Sequence, residues 1–328
     1  MTMNKPRVDR RHILLAGAGA AFGTRALAQA GAKTTRIIVG FPPGQATDNV
    51  ARLLAERLRS VTGDTYIVDN RPGQGGSLAL GELAKAAPDG STMMLAHMSA
   101  LCTNPHMYKR VPYDSLKDFE PVGLVGDLPF VLVCNPGMPF ANVQELIQYA
   151  KANPGTLSNA SSGNGTVSHL AMEEFKRRAG IKVLHVPYKG SVPGLTDVVA
   201  GNVSLALETA AAVQSFVQGG KLRALAAGTR KRLPAPLAVP TLSEQGMGDF
   251  NAVTWLMVLY PAGTTKSLTQ ATFGAMTKAL QTTEVEQRLV ALNCQPRYSA
   301  SPAEALAYLR AEFNTWGDVV KRSGTTLD

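Results

Sequence analysis

The chain of 328 residues is 45% hydrophobic and 17% charged, with 31 Gly and 20 Pro, a composition that excludes a disordered protein and, by length, a small stapled module. At roughly 150 residues per domain, about two domains are expected. Of the formal charge of +9, Lys5, Arg7, Arg10, Arg11 and Arg25 against Asp9 fall in the first 30 residues, and the remainder is spread without basic runs, which argues against nucleic acid as a partner.

Residues 1–30 read as an export signal. A basic segment ends in Asp9-Arg10-Arg11-His12-Ile13-Leu14-Leu15, an apolar stretch runs from Ile13 to about Phe22, and Ala28-Gln29-Ala30 offers small residues for cleavage. The paired arginines and Arg25 fit the twin-arginine route better than the general secretory one, and either leads out of the cytoplasm. No Cys lies near the cleavage site to carry a lipid. No apolar run of the roughly 20 residues needed to cross a bilayer escapes a charge or a Pro, so the mature protein is expected to be soluble in the periplasm.

After the leader the pattern is strand, Gly-rich loop, helix. Arg36 to Gly40 predicts a strand, Phe41 to Asp48 a loop, and Asn49 to Ser60 a helix whose Val50, Leu53, Leu54 and Leu58 share one face. Tyr66 to Asp69 is a second strand, Asn70 to Gly76 a turn, Leu78 to Ala87 a helix and Thr92 to Ala96 a third strand. Strand and helix then alternate through Phe130–Cys134, Val143–Ala152, Leu157–Ala160, Ser168–Ala179, Val183–Pro187, Gly194–Ala200, Val203–Leu207, Ala210–Gln218 and Ala224–Ala227. Trp255 to Tyr260 is a returning strand, followed by helices over Leu268–Thr282, Glu284–Leu292 and Pro302–Arg322. This alternation predicts two α/β units with parallel sheets and helices on both faces. A crossing near Val125 to Leu128 and a return near Asn251 to Trp255 would leave a cleft between the units, a usual place for a small ligand.

The sequence holds no complete phosphate-loop, zinc-protease or Ser/Lys template; Gly75-Gly76-Ser77-Leu78-Ala79 lacks the last Gly of a nucleophile elbow. His97, His106, His169 and His185 show no metal-ligand spacing, and neither metal nor cofactor is expected. Cys102, Cys134 and Cys294 lack a C-x-x-C spacing; three buried thiols and a Cys102–Cys134 bridge both fit. What the loops do offer is anion binding. Gly44-Gln45-Ala46-Thr47-Asp48 and Ser161-Ser162-Gly163-Asn164-Gly165-Thr166 stand where strands end and helices begin, where free N–H groups and the positive end of the helix dipole face the cleft. Capping alone accounts for either loop singly.

Phe41-Pro42-Pro43-Gly44-Gln45-Ala46-Thr47-Asp48, Asn70-Arg71-Pro72-Gly73-Gln74-Gly75-Gly76, Ala87-Pro88-Asp89-Gly90, Ser161 to Thr166 with His169-Leu170-Ala171, and His185-Val186-Pro187-Tyr188-Lys189-Gly190 occur in this order. With Gly220 to Leu225 and Pro261-Ala262-Gly263-Thr264 they make the chain resemble the substrate-binding proteins of tripartite tricarboxylate transporters, the Bug family. The resemblance implies a type II periplasmic binding protein fold: two doubly wound α/β lobes, residues 31–127 with 254–328 and residues 128–253, joined by two hinge strands. It also implies a non-enzymatic, monomeric receptor that closes on a small organic anion and hands it to membrane permease subunits. That anion would be a di- or tricarboxylate, an acidic amino acid or an aromatic carboxylate.

Carried onto this sequence, the ligand contacts would come from Phe41, Gln45, Ala46, Thr47 and Asp48 of one lobe and from Ser161, Ser162, Gly163, Gly165, Thr166, His169, Tyr188, Lys189 and Gly190 of the other. Three positions depart from the family pattern: Gln45 where a second Gly is usual, His97, just before Ser99, where small residues are common, and Glu208 where Asp is frequent. Glu208 could pair with a ligand amine or cap the following helix. Two other readings stand beside the receptor: a sensory subunit for a two-component system, and an exported hydrolase using Ser77 or Ser161 with His97 or His169.

Overall fold

The computed structural model describes, apart from Met1, residues 33–323; the expected export signal lies outside them. The first unit runs β1 (Thr34–Val39), α1 (Ala46–Thr62), β2 (Thr65–Asn70), α2 (Ser77–Leu83) and β3 (Thr92–His97). A π-helical turn at Ser99–Thr103 and the short α3 (Asn104–Met107) lead into β4 (Phe119–Cys134). The second unit holds α4 (Val143–Ala152), β5 (Ser158–Ser161), α5 (Val167–Ala179), β6 (Leu184–Pro187), α6 (Ser191–Ala200), β7 (Leu205–Thr209), α7 (Ala210–Gln218) and β8 (Arg223–Ala227). The chain returns through β9 (Val253–Pro261) to α8 (Lys266–Leu280), α9 (Thr283–Ala291), β10 (Gln295–Pro296) and α10 (Pro302–Ser323).

Local chemistry sets these boundaries. α1 buries Val50, Leu53, Leu54 and Leu58 and stops at Gly63, which takes the left-handed φ of 77° that a side chain would resist. Thr166 caps α5 by accepting from His169 N, and Asn142, Thr265 and Thr282 cap α4, α8 and α9 in the same way. The Ser99–Thr103 turn carries no Gly or Pro and no apolar periodicity of its own, so nothing local announces it.

The strands form one sheet in the order β2-β1-β3-β9-β4-β7-β5-β6, with β8 and β10 also paired to β4. Pairing is parallel within β2-β1-β3 and within β7-β5-β6, as the alternation predicts. The two connecting strands are more than hinges, however: both insert antiparallel into the middle of the sheet. β4 pairs with β9 from Phe119↔Pro261 to Pro129↔Val253, and then with β7 from Phe130↔Thr209 to Cys134↔Leu205. A strand expected to start at Phe130 therefore begins eleven residues earlier, and it changes partner from β9 to β7 at Pro129/Phe130.

One apolar cluster, with Ile37, Leu54, Val125 and Leu289, lies in the first lobe, and another, with Val133, Leu195, Val213 and Leu237, in the second. The largest runs through both, joining Leu83, Met98 and Leu101 to Val167, Phe175 and Trp255. The lobes therefore share a core as well as keeping their own. Cys102, Cys134 and Cys294 are buried, unbridged thiols, and burial raises Cys134 to about 11 and Cys294 to about 12.

Gly126 shows how tightly the first lobe closes on β4. A Cβ there would lie 2.5 Å from Cys294 Sγ and 2.8 Å from the Gln295 carbonyl oxygen. Because backbone cannot swing aside as a side chain tip can, Gly126→Ala is expected to cost about 1–3 kcal/mol. Chemical denaturation would show it as a lower midpoint with an unchanged slope.

Candidate functional site

The sequence places a strand end before each Gly-rich loop, and the fold brings those loops together. The N-termini of four helices, α1, α5, α6 and α7, converge on one buried cavity between the lobes, lined by Gln45, Ala46, Thr47, Thr166, Val167, Ser191 and Thr209. Phe41, His97, Leu128, Phe130, Ser162 and Glu208 complete the wall. Its volume is about 20 Å³, room for one water, so an organic molecule enters only when the lobes part. Outside it lies a wider mouth of about 680 Å³ flanked by Phe41, Tyr108, Ser162, Tyr188 and Lys189.

Among the described residues no Lys or Arg lines the inner cavity. Positive potential comes from backbone instead. α1 starts without a side-chain cap, so its first-turn N–H groups stay available; α6 and α7 also lack a side-chain cap from their N-cap residues, and the Glu208 carboxyl lies against their starts. The wall adds the hydroxyls of Thr47, Ser162, Thr166, Ser191 and Thr209. Apolar Phe41, Leu128, Phe130 and Val167 restrict water, which strengthens each of these dipoles.

The lobes touch across the cleft. Thr103 Oγ1 donates to the Gly165 carbonyl at 2.7 Å, and Val167 N donates to Ser99 Oγ at 3.3 Å. The Gln45 side chain reaches over to Gly190, whose φ of 109° and close approach to the Gln45 amide leave no space for a Cβ. The first loop is itself drawn tight: a Cβ on Gly40 would meet Cα of Gly76 at 2.7 Å.

The expected site residues separate into three groups. Phe41, Gln45, Ala46, Thr47, His97, Ser162, Thr166 and Glu208 line the inner cavity. Gly163, Tyr188, Lys189 and Gly190 line the mouth, where Tyr188 OH donates to Asp197 Oδ2 at 2.5 Å. Asp48, Ser99, Ser161, Gly165 and His169 line neither. Ser161 Oγ bonds His185 Nε2 at 2.6 Å, and His169 stacks on His185 with ring centroids 4.0 Å apart while its Nδ1 accepts from Gly165 N. Leu128, Phe130, Val167, Ser191 and Thr209 enter the wall unannounced by the motifs. Ser191 and Thr209 carried a signal all the same, each being a hydroxyl residue at a helix start directly after a flagged position. The three departures from the family pattern, Gln45, His97 and Glu208, meet on this one cavity.

The charged states follow from burial. His97 is pushed down to about 3 and His169 and His185 to about 4, burial being the first cause in each, so all three rings are neutral near pH 7. Ser99 N donates to His97 Nδ1 at 3.2 Å, which puts the ring proton on Nε2. Burial raises Glu208, opposed by hydrogen bonds from Ser168, Ser191, Ser162 and the Thr209 amide. Asp48 is the reverse case. Burial works to raise it, but Arg52, the Gly44 N–H and the Asn70 amide outweigh burial and hold it below its ordinary 3.8. Ser77 Oγ contacts Tyr113 OH and accepts from Asn104 Nδ2; neither Ser77 nor Ser161 bonds His97 or His169. Among the described residues no group of three or more His, Cys, Asp or Glu side chains could hold a metal ion, and no helix is long and apolar enough to cross a membrane.

Two α/β lobes sharing a pair of central strands, with helix N-termini converging on the cleft, define a solute-binding protein of the periplasmic type. A family model described as "Tripartite tricarboxylate transporter family receptor" matches residues 50–325. The protein BugT of Bordetella pertussis is 36% identical over 297 residues, covering 90% of this chain and 91% of its own. Among solved structures, R. palustris Rpa4515 with adipate superposes with a TM-score of 0.86 at 31% identity, covering 89% of this chain and 98% of that one. MatC from Rhodopseudomonas palustris with bound malate gives 0.80 at 28% identity, covering 88% and 98%. The chain belongs to the tripartite tricarboxylate transporter receptor family.

The Asp48 network predicts a pH signature. A carboxyl held below its ordinary value stabilises the fold fully above about pH 3.8 and loses that contribution as the pH falls through the folded-state value. Asp48→Asn is expected to lower stability at pH 7 by roughly 1–3 kcal/mol. Urea unfolding of both proteins along a pH series would show the gap closing below pH 3.8.

Proposed function

We propose that this chain captures a small carboxylate-bearing metabolite in the cavity between its lobes and delivers it to the membrane subunits of a tripartite tricarboxylate transporter. The observation that carries the reading is the convergence of four helix N-termini and five hydroxyl residues on a cavity lined, among the described residues, by no Lys or Arg. Such an arrangement holds an anion with backbone dipoles and releases it without breaking a salt bridge. The relatives solved with adipate and malate support the carboxylate class.

In this reading residues 31–127 with 254–328 form one lobe and residues 128–253 the other, and they open and close about β4 and β9. The ligand carboxylate lies against α1 at Ala46 and Thr47, with Ser162 and Thr166 facing it. Gly163, Tyr188, Lys189 and Gly190 guard the mouth. Asp48, Ser99, Ser161, Gly165 and His169 position the walls. The protein works as a monomer and without turnover, in the periplasm, after a twin-arginine signal is removed near Ala30.

Differential scanning fluorimetry of the mature chain with di- and tricarboxylates, amino acids and aromatic acids is the test. A ligand at a hundred times its dissociation constant adds about 2.7 kcal/mol, a melting shift of several degrees. The absence of a shift with every acid overturns the reading. Thr47→Val keeps the volume and removes the hydroxyl; it is expected to weaken the acid that binds by roughly tenfold, for the loss of about 1.4 kcal/mol.

A further inference from the structure

The cavity already holds a carboxyl group of its own. Glu208, 2% exposed at the end of β7, accepts from Ser168 Oγ at 2.8 Å, Ser191 Oγ at 2.9 Å and Thr209 N at 3.4 Å. Those donors stand at the starts of α5, α6 and α7, so Glu208 takes up the positive ends of three of the four helices of the second lobe. Every one of these groups donates, the pattern an ionised carboxylate demands. Among the described residues, Glu208 nevertheless faces no Lys or Arg across the cavity. The first lobe differs. Its own acid near the helix start, Asp48, is paired with Arg52 at 2.9 Å and turned away from the cavity, so the amides at Ala46 and Thr47 remain open to a ligand.

Two further side chains on the wall each carry a polar group without a hydrogen-bond partner among the described residues. His97, 7% exposed, accepts at Nδ1 from Ser99 N and Thr254 Oγ1, and its Nε2–H has no hydrogen-bond partner among the described residues. Gln45, 9% exposed, does not cap α1, and its amide likewise has no hydrogen-bond partner among the described residues. Both face the same space as Glu208.

We propose that Glu208 occupies the second lobe's anion position, so that the cavity selects a ligand with one carboxylate, held at the start of α1, and one ammonium group, held by Glu208. His97 Nε2–H and the Gln45 amide then serve the carboxylate end. A second carboxylate in place of the ammonium would sit against Glu208 with no cation to offset the repulsion. This inference rests on the carboxylate-capture reading and narrows it to ω-amino and related zwitterionic acids, against diacids.

Calorimetric titration of the mature protein with pairs of equal length tests it: succinate against 3-aminopropanoate, and glutarate against 4-aminobutanoate. The amino acid of each pair is expected to bind at least tenfold more tightly. Glu208→Gln, its fold checked by near-UV circular dichroism, should bring each pair within about threefold; if that variant does not fold, the native panel still decides. Diacids bound as tightly as the amino acids, or more tightly, overturn the proposal while leaving carboxylate capture intact. Heat from neither class, with no melting shift for any acid, overturns capture itself and the proposal with it.

Discussion

The molecule depends on one strand belonging to two lobes. β4 runs unbroken for sixteen residues and changes partner from β9 to β7 at Pro129/Phe130, so the two half-sheets share a backbone ladder through their centre. Leu128 and Phe130, on either side of that change, both point into the ligand cavity. The hinge and the floor of the site are thus the same short stretch of chain. In the proposed opening and closing about β4 and β9, a movement of one lobe relative to the other would bend the strand beneath the ligand, so that capture and closure become one event.

Holding an anion without a cation is the second constraint, and it follows from the first. Parallel strands on each side of the hinge must be followed by crossover helices, and the loops at their carboxyl ends all face the cleft. The helix starts therefore arrive together, bringing N–H groups that have no partner within their own helices. In the proposed site the open start of α1 does for a ligand carboxylate what an arginine would do, without the long flexible side chain or its desolvation cost. Direct contacts across the cleft, Thr103 to Gly165 and Ser99 to Val167, use the same turn-and-helix-start chemistry. Closure and binding draw on similar groups.

Much of this was legible in the chain. Periodicity and Gly, Pro and Ser/Thr punctuation located nearly every strand and helix within a few residues, because each element buries one face and each loop needs a special φ or a cap. Ordered motifs identified the family and the loops around the cleft. The antiparallel insertion of β4 and β9 was not legible, since a strand's apolar residues do not say which neighbours hydrogen-bond to it. Nor was the π-helical turn at Ser99–Thr103, which puts the Thr103 hydroxyl across the cleft on Gly165.

Asp48 and Glu208 mark the division most clearly. In sequence they look alike, each an acid beside a helix start next to a Gly- or Ser/Thr-containing turn. Arg52, one helical turn after Asp48, is visible in the sequence as a partner four residues away, and the fold uses it to tie the acid into the loop. Glu208 has no such neighbour. Its donors come from residues 168, 191 and 209, brought together only when three helices dock on one sheet edge. The sequence by itself determined the elements, the helix-start loops and the family. The tertiary structure decided which acid is neutralised and which faces the cavity, because pairing between distant residues depends on how the helices pack and not on their local chemistry.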